Sequence, residues 1–242
     1  MGVRVGAKSH LAREFDNGPA RGTVQRMDML EGIMTTRAMR RLSTEPVATS
    51  DIETCLRAAA QAPNGGNIQP WQFVVVDDRA VIGQLAEVYL RCWDRYQKVV
   101  RSAMKFRTPE DEATYNRSNA AAQHLADHFA EVPVVALFCV ADIDLTMHDD
   151  VGPLDIGSVL GSVFPAVQNF MLAARSVGLG TSMTTLHRIE QPLTRSILGI
   201  PDRLQIAAIV PVGHPTGRFG VAPRKPVHAL THWNQFGNKR SF

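Results

Sequence analysis

The segment from 156 to 177 is the strongest constraint on how this chain can fold. Its apolar residues recur at intervals of three and four, which is the pattern of a helix with a broad apolar face. They are Val159, Val163, Val167, Phe170, Met171, Ala174 and Val177. Such a helix needs cover from more than one neighbour, so we expect it at the centre of the molecule.

Strands and helices alternate along the rest of the chain. Apolar, β-rich runs predict strands at 71–76, 132–141, 181–186 and 204–212, the first two of them buried. Further helices are predicted at 28–35, 51–62, 79–98, 110–130 and 190–198. A basic linker or flap at 99–109 and an acidic loop at 142–150 separate some of them. This order, without an internal repeat, indicates an α/β or α+β protein built around one sheet.

Length and composition exclude several classes of protein. The chain has 242 residues, 45% hydrophobic and 20% charged, as is ordinary for a globular protein. Its longest apolar segment, 132–141, is too short to cross a bilayer, and the first residues lack an apolar signal core. Cys55, Cys92 and Cys139 lie far apart, which favours reduced, buried thiols in a cytoplasmic protein.

The charge balance argues against a nucleic-acid partner. The formal net charge is +3, and residues 1–27 alone hold five basic and two acidic side chains, so 5 − 2 = +3. The remainder is therefore neutral overall, and no broad basic face is expected. We predict that residues 1–27 form a disordered extension and that 28–242 form a single domain.

The stretch APNGGNIQPW, residues 62–71, is an unusual connector. Ser50 and Glu53 predict a capping box at the start of the helix before it. Pro63 and Pro70 stiffen the two ends of the loop, and two glycines leave only its centre pliable. Such a backbone is suited to lying against a flat ligand, although a plain Asn-Gly turn is the alternative reading.

Two further patterns are ambiguous when taken alone. Arg37, Arg40 and Arg41 are spaced to share one face of a helical turn, where their planar forks match phosphate oxygens; a solvated basic face is the alternative. The pairs His124/His128 and His228/His232 have metal-ligand spacing. Neither pair has the glutamate of a zincin, so solvated histidines are favoured.

Motifs for other chemistries are missing from the sequence. It contains no P-loop, no Rossmann fingerprint and no nucleophile elbow. A chain that binds a cofactor made of a ring and a phosphate, and leaves the chemistry to that cofactor, fits this pattern.

Four segments together resemble the FMN-dependent nitroreductase family. They are TTRAMRRLSTEPV, AAAQAPNGGNIQPWQFVVV, PAVQNFMLAARSVGLGTSMTT, and ILGIPDRLQIAAIVPVGHP followed by PRKP. They keep the family's order and cover most of residues 30–236. The resemblance implies an α+β, three-layer homodimer whose mainly antiparallel central sheet is flanked by helices. It also implies FMN sites at the subunit interface and a C-terminal arm that wraps the partner.

The resemblance further implies which residues bind the FMN phosphate. Arg37 and Arg40 would hold it, with Ala38 and Arg41 beside them, and Arg224 would complete the site. In the family this segment often reads Arg-Arg-Ser, whereas here it reads Thr36-Arg37-Ala38. Phosphate binding would therefore depend more on Arg40, Arg41 and Arg224.

The flavin ring is assigned by the same resemblance. Backbone amides of Thr184 and Thr185 would approach the flavin N5. The residues lying on the ring would be Pro63, Asn64, Gly65 and Asn67. Residues 90–125 fall where the family's substrate lid varies most and do not align clearly with it. Trp93, Tyr96, Phe106 and Tyr115 are candidate lid aromatics there, though ordinary packing explains each as well.

The implied activity is electron transfer from NAD(P)H through FMN to a nitroaromatic or quinone, with no obligatory protein acid or base. The alternatives are a flavin-sequestering or sensor protein without turnover, and a relative that uses deazaflavin or oxygen-dependent flavin chemistry. Trp233 and Phe236 stand in an otherwise polar terminus, which suits an arm buried on a partner. An arm folded onto its own subunit is the alternative.

Overall fold

The protein is described by a computed structural model that covers residues 27–143, 145–155 and 157–240. The predicted disordered extension therefore lies almost entirely outside the described residues. Within them are seven α-helices: α1 (Met29–Thr35), α2 (Thr49–Ala60), α3 (Arg79–Ala103), α4 (Pro109–Asp127), α5 (Leu160–Ser176), α6 (Gln191–Leu198) and α7 (Val227–Leu230). Short 3₁₀ turns lie at Gly65–Asn67, Phe129–Glu131 and Leu186–Glu190. Among the described helices, none combines the length and apolar character that a membrane crossing requires.

The main sheet has four strands in the order β1-β2-β6-β5, and every neighbouring pair is antiparallel. Its strands are β1 (Trp71–Val76), β2 (Val134–Ala141), β5 (Gly180–Thr181) and β6 (Leu204–Gly213). A separate hairpin pairs β3 (Thr146–His148) with β4 (Pro153–Asp155), so the segment predicted as an acidic loop contains a strand. The α+β class is confirmed.

Strand β2 explains why helices cover both faces of the sheet. Successive side chains of a strand point to opposite faces, and those of β2 are apolar on both. Ala136 and Phe138 belong to the core formed with α2 and α5. Val135 and Leu137 belong to the core formed with α3 and α4. The sheet therefore lies between two helical layers.

Helix α5 occupies the central position expected from its apolar stripe. Its Phe170 is fully buried and packs edge-to-face on Phe138 of β2, with ring centroids 5.4 Å apart. The Nδ2 of Asn169 donates to the carbonyl oxygen of Ala58 at 3.2 Å, which joins α5 to α2. The helix begins at Leu160 rather than at 156.

Three local predictions are wrong. Ala48, not Ser50, precedes the first residue of α2 and gives no side-chain cap, so the capping box is absent. Strand β1 is an edge strand whose Val75 is 38% exposed, and is not fully buried. The predicted flap is short, because α3 continues to Ala103 and α4 starts at Pro109, capped by the hydroxyl of Thr108.

Candidate functional site

The arginine-rich segment is extended backbone laid against the sheet, so the predicted helical turn is wrong. The N–H of Met39 donates to the carbonyl oxygen of Thr181 at 2.8 Å, and that of Ser43 donates to His214 at 2.8 Å. The N–H of Thr216 donates to the carbonyl oxygen of Arg41 at 3.0 Å. These long-range bonds outweigh the local spacing of the arginines and fix their backbone between β5 and the end of β6.

Two glycines allow this close approach. A Cβ added at Gly180 would lie 2.9 Å from the Cβ of Met39 and 3.1 Å from Leu42. A Cβ at Gly213 would lie 3.0 Å from Pro133 and 3.2 Å from Leu42. Atoms at such distances would force the segment away from the sheet. The Gly-Leu-Gly sequence thus makes room for the arginine segment as well as ending helix α5.

The three arginines have different surroundings. Among the described residues, Arg37 and Arg40 have no ion-pair partner, so their charges are uncompensated. The Nη1 of Arg41 lies 3.2 Å from the Nδ1 of His124. Because arginine can only donate, the His124 ring must be neutral at this contact. Burial and the charge of Arg41 both lower the pKa of His124, which agrees with that state.

Thr184 and Thr185 differ in what their amides can do. The N–H of Thr184 donates to the carbonyl oxygen of Ile209 at 2.8 Å, and its carbonyl oxygen accepts from Ile209 at 3.0 Å. The Thr184 amide is therefore already used. The Thr185 residue is exposed, and its N–H makes no hydrogen bond within the described part of the chain. Only the Thr185 amide is free to donate to a ligand.

Tyr89 lies against the threonine segment, and sequence reasoning missed it. Burial raises the pKa of this tyrosine, while a hydrogen bond from the Thr184 side chain and the charge of Arg40 oppose the rise. Its ring, 6% exposed, packs on Phe129 with centroids 4.8 Å apart. A tyrosine on the apolar face of a helix needs a polar partner for its hydroxyl, and that was the available signal.

The segment after Thr185 is anchored on β6 by two side chains. The Nε2 of His187 lies 2.8 Å from the carbonyl oxygen of Ile206, and the Oε1 of Gln191 accepts from the N–H of Ile206 at 3.1 Å. These groups take the place of a neighbouring strand. Burial lowers the pKa of His187 to about 4, so the ring is neutral and Nε2 carries the proton donated to Ile206.

The loop from Pro63 to Pro70 is preformed. The Oδ1 of Asn64 accepts from the N–H of Gln69 at 2.8 Å, and its Nδ2 donates to Ala62 at 3.3 Å. Left-handed backbone occurs at Gly66, and also at Asn67 (φ 54°) and Gln69 (φ 48°). Such φ values are uncommon outside glycine and concentrate at functional sites. The unusual backbone therefore extends beyond the two glycines.

Arg224 is not joined to the other arginines. It is exposed, and its Nη1 donates to the carbonyl oxygen of Pro223 at 2.9 Å. No hydrogen bond or ion pair within the described residues joins it to Arg37, Arg40 or Arg41. Its part in a phosphate site stays a prediction.

The candidate lid aromatics fall into two groups. Trp93 is buried between α3 and α4, where its Nε1 donates to the Oε1 of Gln123 at 2.6 Å. Tyr96 is partly exposed beside it, with ring centroids 6.0 Å apart. Phe106 and Tyr115 form a second pair near the connection between the two helices, with centroids 5.2 Å apart. Packing accounts for Trp93, whereas the second pair lies nearer the surface.

The histidine and cysteine patterns give no further site. The rings of His124 and His128 lie 4.3 Å apart, and the Nδ1 of His128 is 2.9 Å from Glu131 Oε1. Over the described residues, no group of three or more His, Cys, Asp or Glu side chains could hold a metal ion. All three cysteines are buried and free, as expected, and burial raises the pKa of Cys55 to about 12.

These observations define an α+β protein that presents uncompensated arginines and a free backbone amide from segments fixed to an antiparallel sheet. The model of the nitroreductase family matches residues 33–214. The chain therefore belongs to the nitroreductase family, which supports an oxidoreductase.

Individual relatives agree with this assignment at modest identity. A protein of Archaeoglobus fulgidus, provisionally named an NADH dehydrogenase/NAD(P)H nitroreductase, is 27% identical over 192 residues, 78% of this chain and 86% of that protein. An iodotyrosine deiodinase of Thermotoga neapolitana is 26% identical over 200 residues, 83% of this chain and 94% of that protein. The structure of an oxidised iodotyrosine deiodinase bound to FMN and 3-iodo-L-tyrosine is similar in fold, with TM-score 0.65 and 23% identity, covering 86% of this chain and all of that one.

Proposed function

We propose that this chain is an FMN-dependent oxidoreductase that passes electrons from NAD(P)H to a nitroaromatic, quinone or related acceptor. The observation that carries the proposal is the fixed arginine segment with its uncompensated Arg37 and Arg40. Its Met39 bonds to Thr181, four residues before the free Thr185 amide. The arginines suit the phosphate of FMN, and the free Thr185 amide suits an atom of the flavin ring that accepts a hydrogen bond.

The phosphate end is proposed to consist of Arg37 and Arg40, with Ala38 between them. Their guanidinium groups present planar forks that bind phosphate oxygens through paired, charge-assisted hydrogen bonds. Arg41 is engaged with His124, so its contribution is to the local positive potential. In this proposal Arg224 completes the phosphate site.

The ring end is proposed to consist of Thr185 and the loop Pro63–Pro70. The Thr185 N–H would donate to the edge of a bound flavin ring, and a fixed donor there would stabilise negative charge gained by the cofactor. Pro63, Asn64, Gly65 and Asn67 present backbone to the ring, held in place by the Asn64–Gln69 hydrogen bond. When bound, FMN supplies the hydride and electron chemistry, so the chain needs no acid or base of its own.

The names of relatives support the donor and the cofactor. A nitroreductase named for NAD(P)H and a deiodinase bound to FMN both match most of this chain. They differ in the acceptor their names imply, and the acceptor of this chain is accordingly proposed only as a class.

A second copy of the chain is proposed as the partner. In the described part, β1 is one of the two edge strands of the sheet and borders a cavity of about 490 Å³ lined by Ile52 and Val75. The C-terminal arm, residues 221–240, exposes Leu230 and Phe236, the latter by 92%. Large apolar side chains left in water favour burial on another surface. We therefore propose that the arm packs on the partner rather than on its own subunit.

Anaerobic reduction tests the proposed function. Protein loaded with FMN is mixed with NADH or NADPH, and bleaching of the flavin absorbance is followed before menadione or 4-nitrobenzoate is added. Bleaching followed by recovery of the oxidised spectrum supports the oxidoreductase. Bound FMN that neither nucleotide bleaches would instead indicate a flavin-binding protein without turnover.

A further inference from the structure

We propose that Arg175, in the last turn of α5, is a positioning residue for the phosphate end of the FMN site. This inference rests on the proposed function and assigns a residue outside the predicted site. Arg175 makes no proposed contact with the phosphate. It acts through the two chain segments that carry Arg37 and Arg224.

Arg175 contacts both of these segments directly. Its Nη2 donates to the Oγ1 of Thr35 at 3.3 Å. Its guanidinium lies over the ring of Phe219, with Cζ 4.1 Å from the ring centroid. One side chain from α5 thus connects the end of α1 to the segment that follows β6.

The contacted residues lie just before the candidate arginines. Thr35 precedes Arg37 by two residues, which places their Cα atoms no more than about 7 Å apart. Phe219 precedes Arg224 by five residues. The hydroxyl of Thr35 in turn donates to the carbonyl oxygen of Glu31 at 2.7 Å, so Thr35 is held from both sides. A shift of Arg175 would move the starting point of each segment.

An arginine at position 175 would be energetically costly if its only role were to fill space. Its Nε is buried and has no hydrogen-bond partner among the described residues. A buried, unsatisfied donor is destabilising, and an apolar side chain of similar length would avoid that cost. What arginine adds is a planar cation that stacks on an aromatic ring while donating at its edge.

The charge of Arg175 also favours an anion nearby. No carboxylate pairs with it among the described residues, as for Arg37 and Arg40. Through its contact with Thr35, Arg175 lies near the segment that carries Arg37, and its charge raises the positive potential at that end of the site. Arg175 therefore contributes to phosphate binding through both position and potential.

The competing explanation is that Arg175 only stabilises the C-terminal end of its helix, as basic residues there commonly do. Arg101 provides a matched control, since it too lies in the last turn of a long helix and is exposed. Helix stabilisation alone would affect ligands with and without a phosphate equally.

The experiment compares FMN with riboflavin, which lacks the phosphate, by fluorescence quenching on the apoprotein. Arg175→Met is expected to weaken FMN binding about tenfold and riboflavin binding less than twofold. Arg175→Lys keeps the charge without the planar fork, and Phe219→Leu removes the stacking surface. The FMN affinity of each is expected to lie between those of Arg175→Met and the parent. Arg101→Met is expected to leave both affinities unchanged.

Several outcomes overturn the inference. If Arg175→Met loses equal affinity for FMN and riboflavin, Arg175 has only a structural role. Unchanged affinity for both ligands would overturn the inference as well. If Arg175→Met does not fold, the same comparison in Arg175→Lys and Phe219→Leu decides. A parent protein that binds neither flavin would refute the proposed function itself, and that result is seen before any variant is measured.

Discussion

His187 should make the stability of this protein depend strongly on pH. The ring is 1% exposed, its Nε2 contacts the carbonyl oxygen of Ile206, and its Nδ1 is buried without a partner among the described residues. Protonation would place a charge and an N–H donor where nothing accepts it. The replacement His187→Gln keeps an N–H that can donate to Ile206 and removes the titration.

The magnitude follows from the two pKa values. Burial, the main cause, and the charge of Arg188 lower the folded-state pKa of His187 from 6.5 to about 4. Between these values the unfolded chain binds the proton and the folded chain does not, so folding becomes less favourable as pH falls. The stability is fully present above pH 6.5 and is lost on acidification towards pH 4. From about pH 7.5 to about pH 4.5 the loss is about 2–3 kcal/mol.

Urea unfolding at both pH values, at one protein concentration, measures this loss of unfolding free energy. The parent should lose about 2–3 kcal/mol more unfolding free energy than His187→Gln over the same interval. The control variant His228→Gln, at an exposed position, should lose as much unfolding free energy as the parent. If the parent and His187→Gln lose equal free energy, the neutral, buried state assigned to His187 is wrong.

Three further predictions concern the proposed site. Arg37→Ala and Arg40→Ala should each weaken FMN binding by about 1.5–3 kcal/mol and leave riboflavin nearly unchanged in equilibrium dialysis; equal effects on both ligands would remove the phosphate role. Gly65→Val should lower FMN occupancy while thermal unfolding of the apoprotein stays the same, because a Cβ at Gly65 meets no atom within 4 Å. Full occupancy in that variant would make the loop an ordinary turn. Removing residues 230–242 should reduce both dimer and bound flavin in size-exclusion chromatography, since the arm exposes large apolar side chains; a flavin-loaded monomer would contradict the shared site.

Periodicity predicted the central elements well. The apolar stripe of α5 and the continuous apolar run of β2 each reflect burial on more than one side, which leaves a clear pattern in the sequence. The edge position of β1 could not be read in the same way. Its run of β-rich residues resembles a central strand, and only the pairing of the whole sheet leaves one side of β1 open.

Long-range backbone contacts account for the main error at the site. Arg37, Arg40 and Arg41 have helical spacing, but hydrogen bonds to Thr181 and from Thr216 hold the segment extended. Such partners lie more than a hundred residues away and leave no local signal. For the same reason, the sequence could not tell that the Thr184 amide is used by the sheet while the Thr185 amide is free.

The residues that sequence reasoning missed resembled ordinary core positions. Tyr89 lies on the apolar face of α3, and His187 follows a short strand without any motif. Their importance depends on which polar groups meet them across the fold. Burial of a hydroxyl or an imidazole requires a partner, so both could have been marked as residues to examine.

Flavin content of the purified protein tests the central claim most directly. The protein is incubated with excess FMN, freed of unbound ligand by gel filtration, and its visible absorbance is compared with its concentration. We predict one FMN per chain, released intact on denaturation and identified by mass. Protein that emerges colourless after this treatment, or that carries a different chromophore it will not exchange for FMN, would contradict the account.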